Sequence, residues 1–473
     1  MEEKMKKAMK KAATGILCVS LLLASALPAF AGSYGVYDKI SGETIWYIGV
    51  TADSFKEFDG EVLTIPETQE ELMTISDTHG IQFIPEELQG KPIEYLATEN
   101  IGYHDGIFAP TVKEIRLSNH IKEIAGASID EDIFFSAFTN LESIWADSEY
   151  FISVDGVLFT RDMTKLVAYP RKKPGESYTI PDTVKKIGDG AFQYNEYLKH
   201  IEMPKALEQE IMGSTFDGAK SLENLTVPEG VQKIYELLYS ENSALKTVTL
   251  PSTLEDMRMG MLVGEAMLRS LPNLENIFVA EGNKHYKSVD GVLLENQRRY
   301  IDGETGDRHI YYDIYGSAYE LTGDWKICVI PAKKVLTAHA TDQKILIDGK
   351  EVQCEAYNIC GCNYFKLRDM AYLLNGTARQ FNITWNGEHN YVSIDRNTPY
   401  EIIGGECTLG DGTDKTPYRS TTSIGSLYNT TYFNINGNNY VSIRDIGLEA
   451  NFGVAYDEAN NAVVISTDKD YEQ

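Results

Sequence analysis

The chain has 473 residues, more than one domain of the usual ~100–200 residues needs, and its 43% hydrophobic and 24% charged content is that of a globular chain rather than a disordered one. A formal net charge of −27 argues against nucleic acid as a partner, because phosphates must be neutralised by Lys and Arg. It argues equally against adhesion to anionic lipid by charge alone.

The first 31 residues read as a removable leader. Lys4, Lys6, Lys7, Lys10 and Lys11 precede the apolar run Ile16–Ala26, and Ala29-Phe30-Ala31 follows it. A basic start, a short apolar run and a small-x-small site predict a secretory signal peptide over 1–31, too short for a stable membrane span. No lipobox surrounds Cys18. Cleavage removes five Lys and two Glu and leaves an exported chain more acidic still, which repulsion keeps apart from its neighbours. Five cysteines remain: Cys328, Cys354, Cys360, Cys362 and Cys407. An odd number cannot all pair internally. Cys360-Gly361-Cys362 has no His nearby and reads as two core or turn thiols rather than a metal site.

The middle of the chain repeats. Ile180-Pro181, Met203-Pro204, Val227-Pro228 and Leu250-Pro251 fall at intervals of 23, 24 and 23. Matched phrases run ahead of three of these prolines: Leu198-x-x-Ile201-x-Met203, Leu222-x-x-Leu225-x-Val227 and Leu245-x-x-Val248-x-Leu250. Their last two apolar positions alternate, as a strand with one buried face requires. A second apolar pair follows each proline (Val184 and Ile187, Leu207 and Ile211 with one residue more between them, Val231 and Ile234, Leu254 and Met257), and a bulky residue recurs at Phe192, Phe216, Tyr239 and Leu262. Looser copies flank this region, at Ile84-Pro85, Val112–Ile124 and Leu141-x-x-Ile144 upstream and at Leu274-x-x-Ile277-x-Val279 downstream. A unit of about 23 residues cannot bury its apolar side alone, so such units stack into a solenoid with strands along one surface. Proline at the strand end gives up a donor where a turn tolerates the loss.

The phrase "YTIPDTVKKIGDGAFQYNEYLKHIEMP" resembles the leucine-rich repeat of the bacterial BspA type. So do the interruptions Ser153-Val-Asp-Gly-Val-Leu-Phe159 and Ser288-Val-Asp-Gly-Val-Leu-Leu294, whose Asp-Gly pairs predict hairpin turns. The resemblance runs roughly over 60–335, is closest over 178–300, and leaves a degenerate N-terminal cap. It implies an exported or surface-exposed protein that binds macromolecules rather than performing chemistry.

After a linker at 336–342 a different duplication begins. Ile359-Cys-Gly-Cys-Asn-Tyr-Phe-Lys-Leu-Arg-Asp-Met370 matches Ile435-Asn-Gly-Asn-Asn-Tyr-Val-Ser-Ile-Arg-Asp-Ile446 at an offset of 76. Each copy reads strand, Gly turn, strand, short helix from the Arg-Asp pair, then a hairpin. Residues 343–468 resemble the copper amine oxidase N-terminal-like domain, in two copies at about 343–395 and 425–468. The oxidase chemistry of that family belongs to a separate catalytic domain. Asn363-Tyr364, Asn390-Tyr391 and Asn439-Tyr440 lack the acidic context of its cofactor tyrosine, and His339 and His389 form no copper-binding set. The expected layout is a signal peptide at 1–31, a repeat solenoid over 32–335 and this domain over 343–468. The expected fold class is α+β, a β-rich solenoid followed by a small duplicated αβ domain.

The sequence carries no recognisable motif of reaction chemistry. The eight His (79, 104, 120, 200, 285, 309, 339, 389) lack H-E-x-x-H spacing, and there is no G-x-S-x-G, P-loop or G-x-G-x-x-G. Asp130-Glu131-Asp132 lacks the ligand alternation of a calcium loop. No pair of acidic residues stands out for glycoside hydrolysis. Arg368-Asp369 and Arg444-Asp445 read as structure, the Asp near a helix start and the Arg tying the helix to a strand. Aromatic content is more suggestive. Tyr311, Tyr312, Tyr315, Tyr319 and Trp325 cluster in "IYYDIYGSAYELTGDW", and such rings suit both protein interfaces and sugar stacking. They are the candidate partner-binding residues, with strand positions of a closing hairpin as the alternative. The expectation is a secreted or cell-surface, non-enzymatic binding or adhesion protein without cofactor or metal, recognising a protein or glycan. A carbohydrate-active or cell-wall accessory and a purely structural envelope component are the alternatives.

Overall fold

A computed structural model describes residues 111–126 and 138–471, except 209, 212–213, 235–237, 239–240, 258–267, 301–310, 313–317, 342, 387–390 and 425–426. It also describes 33–37, 44–51, 60–64, 95–98 and 135. The signal peptide expected at 1–31, Ile84-Pro85, Asp130-Glu131-Asp132, Tyr239, Leu262, Tyr315 and four of the histidines (79, 104, 309, 389) lie outside these residues. Strands dominate, and the α-helices named among the described residues are Leu367–Leu373 and Ile443–Ala450. The chain forms two compact units, residues 1–283 and 284–473.

In the first unit the predicted phrases are parallel strands. Ser177–Thr179, His200–Glu202, Asn224–Thr226, Thr247–Leu250 and Asn276–Val279 form one five-stranded sheet in chain order. Equivalent residues of successive repeats are register partners: Tyr178 faces Ile201, Leu225 faces Val248, and Val248 faces Ile277. The looser upstream copies behave alike, with Val62–Thr64, Glu114–Arg116 and Ser143–Trp145 forming a parallel three-stranded sheet. The central residue of each phrase points inward: Ile115, Ile144, Ile201, Leu225, Val248 and Ile277 are buried. The second apolar pairs (Val184 and Ile187, Val231 and Ile234, Leu254 and Met257) are buried too, so each unit covers the next. Phe192 stacks between Tyr169, at 5.0 Å, and Phe216, at 5.2 Å, which accounts for the bulky residues at 192 and 216.

Asp155-Gly156 and Asp290-Gly291 are the hairpin turns expected of them. Both residues of each pair take positive φ (49° and 75°, 52° and 75°), as a two-residue turn matching the strand twist requires. Gly156 is also required by space, since a Cβ there would meet the Ser143 Cβ at 2.9 Å.

The second unit begins ahead of the expected 336–342 linker. Tyr286–Val289, Val292–Tyr300, Ala318–Val329 and Tyr311–Tyr312 form an antiparallel sheet. Its Val292, Leu294 and Ile327 share one apolar cluster with Tyr357, Ile359, Tyr364, Phe433 and Tyr440 of the eight-stranded sheet that follows, so these residues fold as one body. A second cluster buries Met370, Phe381, Val441, Ile446, Phe452 and Ile465. The strand–turn–strand–helix order occurs twice, in Ala356–Ile359, Cys362–Lys366 and Leu367–Leu373, and again in Leu427–Ile435, Asn438–Ser442 and Ile443–Ala450. The turn residues Cys360 and Gly361 (φ 52° and 80°) match Asn436 and Gly437 (51° and 79°). The hairpins that follow join different sheets: Phe381–Asn386 with Tyr391–Arg396 extends the eight-stranded one, and Gly453–Asp457 with Ala462–Ser466 a four-stranded one.

Candidate functional site

Because strand side chains alternate, burying Ile201, Leu225, Val248 and Ile277 turns their neighbours outward. Two columns result. One runs Ser177, His200, Asn224, Thr247 and Asn276, and the other Thr179, Glu202, Thr226, Thr249 and Phe278. His200, Glu202, Asn224 and Thr226 are exposed, and Phe278 is 47% exposed. Hydrogen bonds along the columns fix rotamers: Thr179 Oγ1 donates to Glu202 Oε2 at 3.1 Å, and Thr247 Oγ1 to Asn224 Oδ1.

A ladder of alternating charge borders this face. Glu176, Lys199, Glu223, Lys246 and Glu275 precede the strands, and their backbones continue the parallel hydrogen bonding. Lys199 Nζ lies 2.7 Å from Glu176 and Lys246 Nζ 3.1 Å from Glu223. The hydrogen bond from Lys246 holds the Glu223 carboxyl below its usual range, and the one to Glu176 raises Lys199. These pairs are open to solvent, so their contribution is to register more than to stability. The turns behind the strands are closed from inside. Asn195 and Asn242 are fully buried, and their side-chain amides donate to the carbonyls of Pro170 and Arg171, and of Phe216 and Ala219.

The expected partner-binding residues separate in space. Tyr311 and Tyr312 lie in the edge strand, paired with Tyr319 and Ala318. Tyr319 is wholly buried, with the Arg298 guanidinium 4.6 Å from its ring centre and the His285 ring against it, so it is a core residue and not a contact surface. Trp325 is half-buried with the Lys287 ammonium 4.3 Å over its ring, and burial lowers the Lys287 pKa from the usual lysine range. Exposed aromatic rings on repeat strands were missed: besides Phe278, Trp145 is 49% exposed at the end of its strand. The signal is present, since both occupy the position just after the buried central residue of their phrase.

The charged pairs and thiols occupy structural places. Asp369 and Asp445 each lie in the first turn of a helix. Lys366 approaches Asp369 at 3.5 Å and Lys326 approaches Asp445 at 2.7 Å. Arg368 donates to Asn438 and Arg444 to Asp324, both strand residues. Burial pushes the Asp369 carboxyl above its usual range. Cys360 sits in a hairpin turn whose flanking residues Ile359 and Cys362 pair across the strands, and the Cys362 Sγ–H donates to the Trp325 carbonyl at 3.4 Å. Among the described residues no group of three His, Cys, Asp or Glu is placed to hold a metal, and no helix is long and apolar enough to cross a membrane.

No curated protein matches the chain. Among solved structures it is similar to the pneumococcal vaccine antigen PcpA, at 20% identity over 53% of this chain and 80% of that one, with a TM-score of 0.30. It is similar to a leucine-rich repeat protein from Eubacterium ventriosum at 16% identity over 52% and 76%, with a TM-score of 0.28. A leucine rich cell surface protein from Faecalibacterium prausnitzii aligns at 14% identity over 54% and 96%, with a TM-score of 0.27. Residues 168–285, which carry the ladder and the outward columns, match the family model of the BspA type leucine rich repeat region in six copies.

Proposed function

We propose that this is an exported or cell-surface, non-enzymatic binding protein that recognises a protein or glycan partner on the outward strand face of residues 177–279. The observation that carries the reading is the pair of outward columns, in register across five strands and ending at the exposed Phe278. Such a face is held by a packed interior, so little ordering is paid on binding, and many moderate contacts add up without a reaction centre. The leader at 1–31 and the description of one similar structure as a cell surface protein support placement outside the membrane.

Residues 343–468 are proposed as a duplicated αβ module resembling the copper amine oxidase N-terminal-like domain and serving as a spacer or envelope-associating element. Residues 32–335 are proposed as the leucine-rich-repeat part of the sequence, its last stretch from residue 284 packing with the second unit. Tyr311, Tyr312, Tyr315 and Trp325 remain the proposed second contact point, with Trp325 and Lys287 suited to a sugar ring or an acidic group. That second reading makes the chain a wall-associated accessory.

The test is binding of the full chain to a glycan array and to immobilised extracellular-matrix proteins, compared with a His200→Ala/Asn224→Ala/Phe278→Ala variant and with Trp325→Ala. The first variant is expected to lose at least tenfold in affinity with an unchanged thermal midpoint. Binding that survives it but is lost in Trp325→Ala moves recognition to the second unit. Turnover of any bound glycan would remove the non-enzymatic reading.

A further inference from the structure

We propose that Cys354 and Cys407 are two halves of a disulfide that pins the irregular loop of residues 397–417 to the core of the second unit. Both side chains belong to one apolar cluster: Cys354 lies among its buried residues and Cys407 packs against it from the loop. Both also face the same buried ion pair. Lys366 and Asp369, 3.5 Å apart, act electrostatically on each thiol, and Lys366 Nζ also donates to the carbonyl of the loop residue Gly405. The loop is fixed next to Cys407 by Glu406, whose carboxylate accepts from the Ile403 and Gly404 N–H groups and from the Tyr400 hydroxyl at 3.0 Å. The other described thiols are placed elsewhere. Cys360 belongs to the cluster built around Val292 and Ile327, with Cys362 packed against it, and the Cys362 thiol is engaged with Trp325.

The chemistry needs a disulfide oxidant, such as oxidised glutathione. Cys407 keeps some solvent exposure and Cys354 is buried, which sets the order of steps. The Cys407 thiolate attacks one sulfur of the oxidant, forming a mixed disulfide and releasing one thiolate. The Cys354 thiolate then attacks the Cys407 sulfur and expels the second. Two protein thiols lose two electrons and two protons, and the oxidant becomes two thiols. Burial raises both thiols, that of Cys407 to about 11, so the exchange is slow at neutral pH and accelerates with pH.

The proposal does not depend on the binding function. The test equilibrates the full chain with oxidised glutathione, alkylates it in denaturant without reductant, digests it and maps the peptides by mass spectrometry. A peptide pair joining Cys354 to Cys407 is expected, with Cys360 and Cys362 alkylated. In Cys407→Ser, Cys354 is expected to become fully alkylated. Alkylation of both Cys354 and Cys407 in the unreduced wild-type chain, or a crosslink from either to Cys328, Cys360 or Cys362, overturns the proposal.

Discussion

The two units spend their sequence differently. In the repeats the apolar strand positions are answered by their counterparts one unit away, and apart from the buried Asp217 and Asp256 charge gathers outside in the Glu176–Lys199–Glu223–Lys246 ladder. In the second unit ionisable groups go inside: Lys366 and Asp369 are both buried, and Glu355 accepts hydrogen bonds from Tyr357 at 2.8 Å and Tyr440 at 2.5 Å. A repeat needs only its neighbour, so stability is spread along it and its surface is free to carry recognition. A mixed fold with buried charge depends on a few residues in one place.

Substitutions can break that comparison at either end. Phe192→Ala removes a fully buried ring from the aromatic stack and should destabilise the repeats by about 4 kcal/mol in urea unfolding. A loss under about 1 kcal/mol would mean that the stack tolerates a gap, against the reading of a close-packed spine. Lys366→Met leaves the Asp369 carboxylate buried without its cation and should cost about 3 kcal/mol.

The pH dependence sharpens this second case. Asp369 is raised by burial and by the charge of Glu355, and lowered by the Cys407 N–H and by Lys366. It therefore binds its proton more tightly folded than unfolded. Its contribution is fully present below the ordinary carboxylate range and is lost as pH rises through its raised folded value. The difference in unfolding free energy between wild type and Asp369→Asn should change across that window, and a flat difference would contradict the assignment.

Asn242→Ala strips hydrogen bonds from the Phe216 and Ala219 carbonyls and should cost about 2 kcal/mol. Gly156→Ala, at φ 75° with Ser143 against it, should cost about 1–2 kcal/mol, and circular dichroism melting resolves both effects.

Much of the repeat was legible because period and alternation report burial directly. The intervals between Ile180-Pro181 and Leu250-Pro251 became the parallel register, and Asp-Gly became the hairpin turn. Asn195 and Asn242 were not legible, because a polar residue closing a turn from inside carries the same letter as one facing water. The start of the second unit was hidden for a similar reason. Val292, Leu294 and Ile327 read as a strand pattern, but only the fold shows that their apolar face is covered by Tyr357, Tyr364 and Phe433. Tyr319 illustrates the limit of aromatic counting: a ring in a tyrosine-rich phrase can be entirely internal.

The position of a bound partner distinguishes recognition by the repeat face from recognition by the second unit. Hydrogen exchange of the full chain, free and saturated with the tightest ligand from the binding screen, locates it directly. Slowed exchange confined to the strands between residues 177 and 279 is the expected outcome. A footprint restricted to residues 286–329, with those strands unchanged, would contradict it.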